Sequence, residues 1–254
     1  MKTLIIIPAR YGSTRLPAKM LRKVGAKTII EHTFAQAVQS RADAVVVATD
    51  HPEIAEVMQK AGAKVVLTDT DLPSGTDRCA QALAILRANG EKYDYVVNVQ
   101  GDELFIPPAQ IDLIINYLHQ DMNILTLVQT ITTAAELDNP NTVKAVLAAA
   151  NTQNLRPALY FSRACVPYFR TPTAPEIKIQ QHNYYKHVGV YAFKAEILEE
   201  LVKLPVSDLE RVEMLEQLRW LENNYQIETI ATQFSHLSID TLADLEAAEA
   251  SLKA

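Results

Sequence analysis

Short apolar runs alternating with helical patterns constrain this chain more than any other feature. Leu4-Ile-Ile-Ile7, Ala44-Val-Val-Val-Ala48 and Lys64-Val-Val-Leu67 are strand-length runs, far below the roughly 18 apolar residues of a membrane span. Between them, 28–39 sets Ile29, Ile30, Phe34 and Ala37 at helical spacing, and Pro52 opens a second helix to about Ala61 that Gly62 ends. Strands connected through helices predict a parallel α/β sheet, and ligands of such sheets bind beyond the carboxyl ends of the strands. The residues just after each run are therefore the first place to look for chemistry.

After the first run comes Pro8-Ala9-Arg10-Tyr11-Gly12-Ser13-Thr14-Arg15-Leu16-Pro17-Ala18-Lys19. The chain carries a net charge of −6, yet no Asp or Glu occurs before Glu31. Arg10, Arg15 and Lys19, placed past a core strand, point to a polyanionic ligand, and Gly12 and Ser13 add a turn whose N–H groups suit phosphate oxygens. Arg22, Lys23 and Lys27 read as solvated surface. The loop matches neither G-x-x-x-x-G-K-[ST] nor G-x-G-x-x-G.

The next edges repeat the pattern. The second strand ends in Thr49-Asp50, and a later loop holds Ser74-Gly75-Thr76-Asp77-Arg78, a good turn and N-cap that also lies past a strand end. Tyr95-Val-Val-Asn98-Val-Gln100-Gly101-Asp102-Glu103 finishes a strand in an amide, a glycine and two acids, a set suited to a hard cation.

The second half is less regular. A helix is expected from Pro107 to about His119, a strand from Ile124 to Ile131, a turn at Asn139-Pro-Asn141, and an irregular stretch from Pro167 to Asn183. The stretch 185–193 alternates as a strand, helices are expected at 195–203 and 209–222, and a strand at 226–231. Asp240 reads as an N-cap for a last helix. Cys79 and Cys165 lie in no metal-binding or disulfide spacing, with Cys79 at a core position relative to Leu83. The acidic balance argues against nucleic-acid binding. The first apolar run is too short for a signal peptide, and no span for membrane insertion is present, so a cytoplasmic protein is expected.

Taken together, these stretches resemble the bacterial cytidylyltransferases that activate 3-deoxy-manno-octulosonate (Kdo). The matching segments are Ile7-Pro-Ala-Arg-Tyr-Gly-Ser-Thr-Arg-Leu-Pro17 with Lys19, Val47-Ala-Thr-Asp50, Ser74-Gly-Thr-Asp-Arg78, Val97-Asn-Val-Gln-Gly-Asp-Glu103, Asn139-Pro-Asn141, Ala158-Leu-Tyr-Phe-Ser-Arg-Ala164, His187-Val-Gly-Val-Tyr191 and Glu213-Met-Leu-Glu-Gln-Leu-Arg219. Their joint order, from the first strand to the last helix, is more specific than any one segment.

The resemblance implies a Rossmann-like α/β nucleotidyltransferase fold: a mixed, mostly parallel central sheet flanked by helices, with a smaller sugar-binding and dimerisation portion. It implies one cytidylyltransferase domain over 1–254, with 151–193 as the dimerisation and sugar-binding excursion, and a homodimer. The implied reaction joins CTP and Kdo into CMP-Kdo and pyrophosphate with Mg²⁺, for lipopolysaccharide synthesis. By position, Arg10 and Lys19 would hold the triphosphate with Arg15 as a further member, and Ala9, Asp50, Ser74, Thr76 and Arg78 would complete the nucleotide site. Asp102 and Asp240 would hold Mg²⁺, and with Arg10 and Lys19 they form the catalytic set. Gln100, Arg163, His187, Tyr191 and Glu216 would line the sugar-acid pocket, with Arg163 facing the carboxylate. His187 is assigned to sugar binding rather than to a general base.

The sequence departs from the family pattern at Ala18, where Gly is common, at Leu104, where Pro is usual, and at Ser238 and Leu242 around Asp240. Two alternatives stay open: CMP activation of a related acid (8-amino-Kdo or a sialic acid) and a non-catalytic nucleotide-binding relative. Tyr11-Gly12-Ser13-Thr14 differs from the Gly-Gly-Ser-Lys usual in sialic-acid enzymes.

Overall fold

Strand β1 (Thr3–Ala9) is buried along its whole length. Leu4, Ile5, Ile6 and Ile7 have no exposed surface, each contributing roughly 1.5–3 kcal/mol through burial. The structure, a computed structural model, describes residues 1–12, 16–171, 173–234, 239 and 242–251. Arg15, Ser238 and Asp240 lie outside these described residues.

A hairpin of β2 (Lys23–Val24) and β3 (Lys27–Thr28) turns at Gly25, whose φ of 64° is left-handed. It was not anticipated, because two residues per strand carry no period. Helix α1 (Ile29–Ala37) follows, opened by a capping box in which Thr28 and Glu31 satisfy each other's backbone N–H groups. Then come β4 (Ala44–Thr49), α2 (Pro52–Lys60), β5 (Lys64–Leu67), α3 (Gly75–Ala88), β6 (Tyr95–Asn98) and α4 (Pro108–Tyr117).

The chain packs as two compact units. The first holds 1–117, 192–202 and 234–254, and its strands run β5-β4-β1-β6, all parallel. Leu4 lies level with both Ala44 and Val96, so Ala9, Thr49 and Asn98 finish at one edge of the sheet.

The second unit holds 118–191 and 203–233. It contains β7 (Ile124–Thr130), α5 (Ala134–Asp138), β8 (Lys144–Leu147), β9 (Arg156–Ser162), α6 (Pro175–Gln181), most of β10 (Tyr185–Lys194), and β11 (Ile227–Ala231). Its strand order is β10-β7-β11-β9-β8, and β8 pairs back onto β10 through Tyr185↔Ala145 and Lys186↔Lys144, closing the ring. β7 and β11 are parallel, whereas β9 is antiparallel to both β11 and β8. Helix α7 (Ala195–Leu201) belongs to the first unit.

Two expectations are corrected here. The segment after Pro167 is not irregular throughout, since Pro175 at the first helical position starts α6. The helix expected over 209–222 is two helices, α8 (Asp208–Glu213) and α9 (Gln217–Glu222), because Met214 takes φ 54° and ψ 48°, a left-handed conformation that ends the first helix. Arg219 holds the corner by a bidentate pair to Glu210 at 2.6 and 2.7 Å. The last described element is α10 (Leu242–Ser251).

Candidate active site

At the carboxyl edge of the first unit, Ala9 is buried and Arg10, immediately after it, is exposed. The following loop is fastened to the neighbouring strand, since Tyr11 N–H donates to Asp50 Oδ1 at 2.9 Å and the Tyr11 and His51 rings stack at 3.8 Å. Further on, Ala18 adopts φ 51° and ψ 36° and leads into a short 3₁₀ turn over Lys19–Leu21. The departure from glycine at this position is therefore paid in backbone strain. Lys19 is 7% exposed, and its Nζ lies 2.5 Å from Asp102 Oδ2. Arg22, Lys23 and Lys27 are exposed, as expected.

The exit from β6 explains the position of Asp102. A Cβ on Gly101 would stand 3.0 Å from the Pro8 carbonyl oxygen, 3.0 Å from Met20 Sδ and 3.2 Å from Ile30 Cδ1. Only glycine lets the chain pass this close, and Thr33 Oγ1 fixes the same residue by donating to its carbonyl at 2.9 Å. Ile239 N–H reaches the Asp102 carbonyl at 3.4 Å. Leu104, in place of proline, is wholly buried.

Asp50 and Arg78 meet each other. Arg78 is 2% exposed, and its guanidinium donates to Asp50 Oδ2 at 3.1 Å, Thr68 Oγ1 at 2.5 Å and Asp69 O at 3.1 Å. The two side chains thereby brace the loops after β4 and β5. Ser74 caps α3 by accepting from Asp77 N–H at 3.1 Å, and Thr76 is buried in the first turn. Gln100 packs against Gly75 and donates to Asn98 Oδ1 at 3.2 Å.

The second unit gathers Arg163, His187, Tyr191 and Glu216. His187 and Tyr191 share a face of β10, with ring centroids 5.1 Å apart. Thr126 Oγ1 lies 2.8 Å from Val190 O, to which it donates, and 3.0 Å from His187 Nε2. The contact ties the His187 ring to β7. Burial, with the Glu216 carboxylate adding to it, pushes the Tyr191 phenol well above its ordinary pKa, so it stays protonated. Trp220 packs edge-on against the Tyr191 ring.

Glu213 was not anticipated. Its carboxylate accepts from Ser162 Oγ at 2.6 Å and Arg163 N–H at 2.8 Å, while its carbonyl accepts from Arg163 Nε at 2.7 Å. The acid-rich segment holding Glu213 and Glu216 was visible in the sequence, but a continuous helix gave no reason to join Glu213 to Arg163. The Arg163 Nη atoms make longer contacts, to Pro140 O at 3.2 Å and Met214 O at 3.4 Å.

Residues 4–230 match the cytidylyltransferase family model. A 3-deoxy-manno-octulosonate cytidylyltransferase of Bacteroides thetaiotaomicron is 44% identical, covering 100% of this chain and 99% of the relative. The chain belongs to the 3-deoxy-manno-octulosonate cytidylyltransferase family. A member from Chlorobaculum parvum is also 44% identical, over 97% of this chain and 95% of its own length. The structure of a CMP:2-keto-3-deoxy-manno-octonic acid synthetase complexed with CTP superposes with a TM-score of 0.87 at 36% identity, covering 100% and 99% of the two chains. A cytidylyltransferase from Leptospira borgpetersenii, 20% identical with a TM-score of 0.63 over 100% of this chain and 87% of its own, shares the fold.

Proposed function

We propose that this protein transfers CMP from CTP to the C2 hydroxyl of Kdo, giving CMP-Kdo and pyrophosphate for lipopolysaccharide synthesis. The observation that carries the reading is the meeting of Lys19 and Asp102 at the sheet edge of a chain that matches this family over its full length. The new bond joins the Kdo C2 oxygen to the α-phosphorus, the bond from that phosphorus to the β-phosphate bridge breaks with pyrophosphate leaving, and the C2 hydroxyl proton passes to solvent.

Arg10 and Lys19 supply positive charge for the triphosphate, with Arg15 as a further contributor, and Ala9, Asp50, Ser74, Thr76 and Arg78 shape the nucleotide site. Bound phosphates offer Lys19 new acceptors and release the Asp102 carboxylate. The donor chemistry fits Mg²⁺: Asp102 provides hard oxygen, is partly open with its side chain 21% exposed, and already accepts a cationic partner in Lys19. Asp102 and Asp240 are the proposed holders. The bound ion supplies charge stabilisation at the transferring phosphoryl group. Gln100, Arg163, His187, Tyr191 and Glu216 bind the sugar acid, with Arg163 on its carboxylate.

A homodimer fits the apolar side chains that the second unit exposes at Leu159, Tyr168, Val212 and Met214. Among the described residues no helix is long and apolar enough to cross a membrane, and a cytoplasmic location suits an enzyme that uses CTP.

A coupled pyrophosphate-release assay over Kdo, 8-amino-Kdo and a sialic acid, each with CTP and ATP, tests the function. Mg²⁺-dependent release is expected with CTP and Kdo. Absence of release with every 2-keto sugar acid overturns the assignment, and faster release with 8-amino-Kdo moves it to that substrate.

A further inference from the structure

Lys144 has no exposed surface, and no step of the reaction uses it. A buried ammonium is costly unless it is hydrogen-bonded and electrically compensated. Its Nζ donates to Asn139 O at 2.9 Å and to Thr142 O at 2.7 Å, holding both ends of the turn that contains Asn139-Pro140-Asn141. The turn is also closed internally, by Thr142 N–H on Asn139 O at 3.1 Å and Asn141 N–H on Asn139 Oδ1 at 2.9 Å.

This segment touches two residues assigned to the sugar acid. Pro140 O accepts from Arg163 Nη1 at 3.2 Å, and Val143 O accepts from His187 N–H at 2.8 Å. Lys144 itself lies opposite Ser162 on β9 and opposite Lys186 on β10, the residues immediately before Arg163 and His187. Burial lowers the Lys144 pKa, with Cys165, Asp138 and Glu213 opposing that shift and Arg163 adding to it. The ammonium therefore sits within electrostatic reach of the Arg163–Glu213 pair.

The geometry of Arg163 shows what such positioning achieves. Glu213 O occupies Nε at 2.7 Å, closing the Nε side of the fork, while among the described residues Nη1 and Nη2 make the two longer contacts. A carboxylate is thus received end-on by the Nη pair. The direction of that pair depends on where Pro140 O stands.

We propose that Lys144 is a positioning residue for sugar-acid recognition: by clamping the Asn139–Thr142 turn it aims the Arg163 Nη pair, and through Val143 it seats His187. The inference rests on the assignment of Arg163 to the substrate carboxylate. A lysine that merely supports the fold would, when lost, alter stability and affect both substrates alike.

The test compares Lys144→Met, Arg163→Ala and the double variant in the pyrophosphate assay, varying Kdo and CTP separately. Lys144→Met should raise KM for Kdo roughly tenfold, the loss expected for a misdirected charged hydrogen bond, with KM for CTP and kcat within twofold. In the Arg163→Ala background the same substitution should raise KM for Kdo by about threefold rather than about tenfold, the remainder being the path through Val143 to His187. Lys144→Gln, which retains a donor without the charge, serves if the Met variant does not fold, and is expected to fall between wild type and Arg163→Ala. Equal rises in both KM values, or an unchanged KM for Kdo in a folded Lys144 variant while Arg163→Ala raises it, overturns the proposal and leaves the Arg163 assignment standing. An unchanged KM for Kdo in Arg163→Ala overturns that assignment, and the inference with it.

Discussion

Lys19 Nζ lies 2.5 Å from Asp102 Oδ2, joining a cation and a carboxylate 83 residues apart in the chain. Each is the other's countercharge before substrate arrives, so neither can be altered without exposing the other. Asp102→Asn keeps the shape and still accepts from Lys19, but removes the charge. Turnover should fall by about 10²-fold or more, while stability falls by only about 1–2 kcal/mol. Steady-state rates and thermal melting check the two parts, and near wild-type turnover would remove Asp102 from the chemistry.

Gly101→Ala places a methyl group 3.0 Å from the Pro8 carbonyl, a backbone atom that cannot swing aside. The expected cost is roughly 1–3 kcal/mol of stability from overpacking. A loss of activity larger than the loss of stability should accompany it, since the next residue is Asp102. Denaturant titration beside kinetics reads both, and a variant as stable as wild type refutes the crowding argument.

Ala18→Gly has the opposite sign. A left-handed alanine costs roughly 1–2 kcal/mol, and glycine returns about half of that relief as unfolded-chain entropy. A net gain of about 0.5–1 kcal/mol, or about 1–4 °C in Tm for a chain of this size, should appear in a melting scan. An unchanged or lower Tm would show that the turn bears no strain.

The pairing of Glu136 with Lys186 makes stability pH-dependent. Burial raises the Glu136 pKa, but the hydrogen bond and charge of Lys186, aided by Thr132 and Thr133, outweigh it and leave the carboxyl below its ordinary value of 4.5. A depressed folded-state pKa gives stability that is fully present above about pH 4.5 and is lost as pH falls through the folded value. Glu136→Gln should therefore lower Tm at neutral pH and flatten its decline in acid. Parallel melting curves for the two proteins across this range count against the pairing.

The first unit was legible because its parallel strands are buried on both faces, which writes Leu4–Ile7 and Val46–Ala48 as unbroken apolar runs. The sequence also identified the edge at which Ala9, Asp50 and Asp102 gather. It could not disclose that Arg78 is consumed by Asp50, Thr68 and Asp69, because burial of a charged side chain depends on partners distant in the chain. Helix α6 buries none of its residues, so it left no apolar period to read. Nor could the break at Met214 be seen, since methionine is an ordinary helix former and nothing in its side chain announces a left-handed conformation.

The two units are interleaved along the chain, with changes of membership after 117, 191, 202 and 233. Neither can be cut out as one contiguous fragment. During synthesis the second unit has all of its residues once position 233 emerges, whereas the first, although begun earlier, still lacks α10. The sheet edge on which Arg10 and Lys19 stand thus waits for the last part of the message, and a truncated product carries those two residues without the completed unit that supports them.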